Sequence, residues 1–116
     1  MKITRFEDII AWQKAQDYAV VIYQIFGLLK DYGFKDQICR AAVSVSNNIA
    51  EGFERRTNTD FIRFLHFSIG SCSEVKSMLY LSHRLRYITE EEKDKLIIQG
   101  DEISKIIRGL IKSLKT

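Results

Sequence analysis

Residues 8–29 read DIIAWQKAQDYAVVIYQIFGLL, and this stretch decides the fold class. Trp12, Ala15, Ala19, Ile22, Phe26 and Leu29 recur at steps of three and four, with Ala11, Tyr18 and Ile25 widening the stripe. That is the period of one helix face; a half-buried strand would alternate every second residue instead. The spacing predicts a helix from about Asp8 to Leu29, stopped by the turn signal Asp31-Tyr32-Gly33.

The same period repeats along the rest of the chain, which contains no proline. A second helix is predicted over about Phe34–Arg56, with Ile38, Ala42, Val45, Ile49 and Phe53 inward. After the polar break Thr57-Asn58-Thr59, where Thr57 or Asn58 can cap, a third runs to about Tyr87 and buries Phe61, Leu65, Cys72, Val75 and Leu79. Thr89 followed by Glu92 is a capping-box signature, so the last helix starts there, reaches almost to Thr116 and buries Leu96, Ile103, Ile107, Leu110 and Leu114. Helices joined by connections of a few residues pack as antiparallel neighbours. The expected fold is therefore all-α, an antiparallel up-and-down four-helix bundle forming a single domain over residues 1–116.

With 46% hydrophobic and 28% charged residues, the chain has material for one core and is neither a disordered tail nor a membrane span. Lys2, Arg5, Glu7, Asp8 and Lys14 interrupt the first residues, unlike the apolar run of an export signal. Cys39 and Cys72 are then expected as reduced thiols in a cytoplasmic protein. A net charge of +3 permits attraction to phosphate but falls short of a dedicated nucleic-acid arm. Some helices carry more apolar surface than a bundle interior uses: Val21 and Tyr23; Cys39, Val43 and Ala50; Phe64, Phe67, Met78, Leu81 and Leu85; Ile62, Ile69 and Tyr80. Recurring surplus of this kind marks a partner surface and favours self-association.

The polar constellations point away from catalysis. Ser44, Asn48, Glu51 and Arg55 line one strip of the second helix, and Ser71 and Glu74 edge the third. Asn48, Glu51 and Glu74 are read as a structural polar network setting register or subunit pairing, because buried carboxylates must be hydrogen-bonded. A di-metal centre in a bundle needs two Glu-x-x-His pairs, and the chain has none. A metal-dependent nucleotide hydrolase would pair Glu51 and Glu54 with Glu91 and Asp94, but acidic residues in a first helical turn already suit the helix dipole. Nor does the chain match one helical ribonuclease pattern, an Arg, a gap of four to six residues and then a His: Arg55 and Arg56 are too far before His66, and Arg63 is too close. Two basic strips remain: Arg63, His66, Gly70, Ser73, Ser77 and Arg84 on the third helix, and Lys105, Arg108, Lys112 and Lys115 on the last.

One segment is more specific than periodicity: Gln37-Ile38-Cys39-Arg40-Ala41-Ala42-Val43-Ser44, continuing through Asn48-Ile49-Ala50-Glu51-Gly52 to Arg55 and Arg56. With Trp12-Gln13-Lys14-Ala15, Gly70-Ser71, Glu74 and Leu85-Arg86-Tyr87-Ile88, it resembles the four helix bundle proteins of bacteria also called 23S rRNA intervening sequence proteins. Ser46 departs from that pattern, since many members have proline there; serine should leave the helix straighter. The resemblance implies assembly into a closed ring, typically a pentamer, and kinship with the accessory proteins of diversity-generating retroelements, which bind nucleic acid and a reverse transcriptase.

The expected function is that of a non-enzymatic, homo-oligomeric scaffold with no cofactor, binding RNA or DNA through Arg55, Arg56, Arg63, Arg84, Arg86, Lys105, Arg108 and Lys112. The alternative is a module that docks a partner protein without nucleic acid. Metal-dependent nucleotide hydrolysis is a third reading.

Overall fold

Helix boundaries in this protein are set by caps. In a computed structural model, which describes residues 3–115, the Thr57 hydroxyl accepts the Asp60 amide at 3.1 Å. At Thr89 a complete capping box forms: the Glu92 amide donates to Thr89 Oγ1 at 3.1 Å, and the Thr89 amide donates to Glu92 Oε1 at 2.9 Å. Each cap satisfies backbone donors that a helix start leaves without partners. The helices are α1 (Ile10–Phe26), α2 (Tyr32–Phe53), α3 (Asn58–Arg84) and α4 (Glu90–Leu114), preceded by a single 3₁₀ turn at Phe6–Asp8. Met1, Lys2 and Thr116, part of the readings at the two ends of the chain, lie outside the described residues.

Several boundaries differ from those predicted. The first helix runs Ile10–Phe26 and stops at the Gly27 cap, three residues short of Leu29. Asp31 does not end a turn: its carboxylate accepts the Phe34 amide at 3.3 Å, so it caps α2, and Tyr32 and Gly33 belong to that helix's first turn. Aspartate is a preferred N-cap, and here this preference outweighs the turn signal of Gly33. At the other end of α2 the helix stops at Phe53, leaving Arg55 and Arg56 in the turn. Finally, α3 ends at Arg84, three residues before Tyr87. Its end is a Schellman motif: the Arg86 amide donates to the His83 carbonyl at 3.0 Å and the Tyr87 amide to the Ser82 carbonyl at 2.8 Å.

The motif forces Arg86 to a left-handed φ of 63°. Arginine reaches that region at a cost of about 1 kcal/mol that glycine avoids. Arg86→Gly should therefore raise stability by roughly 0.5–1 kcal/mol, seen as a higher urea midpoint at unchanged slope. A lower midpoint would mean that the arginine side chain stabilises the fold by more than its backbone strain costs.

The chain packs in sequence order, α1 on α2, α2 on α3 and α3 on α4, into a bundle 44 Å long. Ala15, Ile22, Ile38, Ala42, Val45, Ile49, Leu65, Val75, Leu79 and Ile107 are fully buried along its axis. The ring closes where α1 meets α4: Tyr18 donates its hydroxyl to the Leu96 carbonyl at 3.0 Å, and Lys14 pairs with Glu102 at 3.1 Å. Gly52 and Gly100 are buried stripe positions where a neighbouring helix comes close.

Serines complete the interior, a feature not anticipated from the sequence. Ser68 and Ser82 continue the α3 spacing of Phe61, Leu65, Cys72, Val75 and Leu79, and both are fully buried. The Ser68 hydroxyl donates to the Val45 carbonyl of α2 at 2.5 Å, and Ser82 bonds back to Leu79 at 2.9 Å. Ser46 is also fully buried; it accepts the Gln16 side-chain amide of α1 at 2.9 Å and donates to the Val43 carbonyl at 3.2 Å. Proline at this position would remove the α1–α2 hydrogen bond together with its own backbone donor.

The surplus apolar surface narrows. Cys39, Phe64 and Met78 are buried within the chain, and Val21, Val43, Ala50, Ile62 and Ile69 are half-buried. Tyr23, Phe67, Tyr80, Leu81 and Leu85 remain 45–52% exposed, and Val20 and Ile98 join them at 55% and 67%. No helix among the described residues is long and apolar enough to cross a membrane.

Candidate functional site

The turn after α2 and the first turns of α3 bring arginines and aromatic rings together at one end of the bundle. Phe64 is buried at the close approach of α2 and α3. The Arg55 guanidinium lies over its ring at 4.5 Å, and Arg63 approaches the same ring at 5.3 Å and Phe67 at 5.8 Å. Phe67 meets Phe64 edge-to-face at 5.5 Å and is 48% exposed. Arg56 is exposed in the adjoining turn.

A guanidinium held over a ring is attracted by the π-face, while its in-plane N–H donors remain directed outward. Arg63 has an acidic neighbour, Asp60 at 3.7 Å, but the pair is solvent-exposed and therefore weak. No ion pair engages Arg55 or Arg56 among the described residues. This end thus offers guanidinium donors on an aromatic support, a combination suited to phosphate oxygens.

The remaining sequence candidates are all exposed but do not join this cluster. Arg84 and Arg86 lie at the other end of α3, roughly 30 Å from Arg63 at the helical rise. Lys105, Arg108 and Lys112 are exposed on α4, and Arg108 enters a groove between α3 and α4 with Lys76, Asp101 and Ser104. Of these only Arg108 lines that groove, and Lys112 lies near the α4 C-terminus, at the bundle end of Arg55, where Asn58 donates to the Leu114 carbonyl at 3.3 Å. Arg63 and Phe67, four apart on a helix, were a readable pair; the stacking of Arg55 on Phe64 across a turn was not.

The three-residue polar network does not form within one chain. Asn48 donates to the Ser44 carbonyl of its own helix at 2.8 Å, and Glu51 is exposed. Glu74 is exposed too and accepts the Gln37 side-chain amide at 3.3 Å. The seam between α2 and α3 is instead bridged by Ser44–Ser71 and by Ser68.

The two acidic pairs considered above do not come together among the described residues. Glu51 and Glu54 sit at the C-terminal end of α2, whereas Glu91 and Asp94 begin α4 at the opposite end of the antiparallel bundle. The pairs cannot share one ion within a chain. No three His, Cys, Asp or Glu side chains converge to hold a metal among the described residues. Burial pushes both the Cys39 and Cys72 thiols up from their ordinary pKa, which disfavours the nucleophilic thiolate. At the far end of the bundle the Tyr87 hydroxyl donates to Asp31 at 2.7 Å, and that bond raises the Tyr87 pKa.

Comparison with known proteins agrees with this fold. A crystal structure of a protein of unknown function from the S23 ribosomal protein family of Bacteroides thetaiotaomicron superposes with a TM-score of 0.83 at 27% identity, covering 89% of this chain and 99% of the other. None of the curated proteins matches the sequence. The 23S rRNA-intervening sequence protein family matches residues 7–109, nearly the whole bundle, and the chain belongs to that family.

Proposed function

We propose that this chain is a non-enzymatic, self-associating scaffold that binds the backbone of RNA or DNA at the bundle end carrying Arg55, Arg56 and Arg63. The observation that carries the reading is the stacking of Arg55 and Arg63 around Phe64 beside exposed Phe67. Stacking fixes the orientation of two cations, which lowers the conformational cost of contacting phosphates. Self-association is supported by apolar side chains exposed on unlike faces: Val20 and Tyr23 on α1, and Leu81 and Leu85 on α3. Unlike faces that meet with rotational closure produce a ring, and the family resemblance implies a pentamer. In a ring each modest arginine cluster is repeated, and weak phosphate contacts sum.

The test is fluorescence anisotropy with a short structured RNA across a salt series, comparing the native chain with R55E/R56E/R63E. Each lost phosphate contact should lower the slope of log affinity against log salt by roughly 0.7–0.9. Binding by the native chain should thus weaken steeply with salt, and binding by the variant should weaken overall and lose about two slope units. Equal binding by a variant with unchanged helicity would overturn the assignment. Sedimentation of the native chain tests the oligomer separately, and a monomer at all concentrations would remove the ring.

A further inference from the structure

Midway along the bundle, α3 and α4 leave a small groove lined by Cys72, Ser73, Lys76, Asp101, Ser104 and Arg108, with a volume of about 210 Å³. Binding sites for drug-sized molecules run to about 300–1,000 Å³, so this space suits a small group. Its lining is mostly hydrogen-bond donors. Lys76 and Arg108 bring charge, and Ser73 and Ser104 bring hydroxyls. Cys72 and Ser104, only 4% and 8% exposed, form the buried floor of the groove.

Asp101 is the one carboxylate in the lining, and it is neutralised. Lys76 Nζ reaches both of its oxygens, at 3.1 and 3.2 Å. Arg108 makes no ion pair among the described residues, so its charge is the groove's net charge. A guanidinium beside two hydroxyls, with a lysine that can turn from its carboxylate, presents convergent donors to a tetrahedral oxyanion.

We infer that this α3–α4 groove is a binding site for a single phosphate group, held by Arg108 and Lys76 with hydroxyl donors from Ser73 and Ser104. The site is separate from the arginine cluster at the bundle end and does not depend on it. Its phosphate comes either from a small phosphate ester or from a nucleic-acid backbone; the chemistry of recognition is the same.

The experiment is a titration of the full chain with inorganic phosphate, followed by amide chemical shifts at constant ionic strength. The amides of Ser73, Ser104 and Arg108 should move together and saturate. Arg108→Gln should weaken binding roughly tenfold, the size expected for losing one charge-assisted hydrogen bond. Ser104→Ala should weaken it less. Asp101→Asn should tighten binding by about threefold or more, because it frees Lys76 for the anion. Asp94, paired with Lys93 at 3.5 Å near the start of the same helix, is the control: Asp94→Asn changes the net charge equally and should leave binding unchanged. Thermal melts establish that each variant is folded. Absence of saturable shifts, full binding by Arg108→Gln, or equal gains from Asp94→Asn and Asp101→Asn would overturn the site. A short RNA that displaces phosphate would support the site with a backbone as its source, and RNA that leaves the shifts in place would support it with a small ester. Failure here leaves the result for R55E/R56E/R63E untouched, so the two readings stand or fall apart.

Discussion

Replacing Gly52 with alanine should destabilise the protein by about 2 kcal/mol, the net of overpacking and a gain in helix propensity. A Cβ at this position would lie 2.7 Å from the Phe64 Cβ, 3.0 Å from the Phe61 Cδ1 and 3.3 Å from the Phe61 carbonyl oxygen. The first of these atoms is fixed to the α3 backbone and cannot swing away, so α2 and α3 must separate. Overpacking of this kind typically costs about 1–3 kcal/mol. A rigid contact places Gly52 near the upper end, and the loss of glycine's backbone freedom returns up to about 1 kcal/mol. The melting temperature should fall by roughly 6–12 °C. Gly70→Ala is the matched comparison, because its Cβ would meet nothing within 4 Å inside the same bundle; it should be neutral or stabilising by up to about 1 kcal/mol. A Gly52→Ala variant as stable as Gly70→Ala would show that the helices have room to spare. Because Phe64 also supports Arg55, the proposed contact with a nucleic-acid backbone should weaken in the Gly52 variant even where it remains folded.

The second large effect is expected at the closure of α1 on α4. A Cβ on Gly100 would sit 2.8 Å from the Tyr18 hydroxyl oxygen and 3.2 Å from its Cζ. That hydroxyl donates to the Leu96 carbonyl one turn earlier, so the phenol reaches the α4 backbone only because position 100 carries no side chain. Gly100→Ala should cost about 1–2 kcal/mol through overpacking and the strained or lost hydrogen bond, less the propensity gain. Tyr18→Phe should cost about 1 kcal/mol and remove the atom in conflict. In the Tyr18→Phe background Gly100→Ala should therefore cost less, and the double-mutant cycle should show a coupling of roughly 1 kcal/mol. Additive losses would exclude direct contact between these positions.

Tyr18 also ties stability to alkaline pH. Burial raises its pKa well above the ordinary tyrosine value of about 10, with smaller contributions in the same direction from Cys72 and Asp101. The unfolded chain releases this proton near pH 10 whereas the folded chain retains it, so the unfolded state binds fewer protons above that pH. Stability is thus fully present below about pH 10 and falls as pH rises beyond it. Tyr18→Phe should make the decline shallower, which denaturant melts between pH 9 and pH 11 will show.

Most of the fold was legible in the sequence because the information is local. Period, capping chemistry and the absence of proline are properties of neighbouring residues, and they specified four helices, the Thr89 start and most of the buried apolar stripe, although Trp12, Leu29, Phe53, Leu110 and Leu114 are only half-buried. Asp31 was misread because a turn signal and an N-cap share the same residue types. The tertiary structure decided what depends on distance between helices. It buried Ser46 and Ser68 by supplying partners on α1 and α2, and it turned Glu51 outward from the α2–α3 seam. It also divided the cationic candidates, stacking Arg55 on Phe64 while carrying Arg84 and Arg86 to the far end. Charge and helix period identify which residues can contact phosphate; only packing determines which of them face the same one.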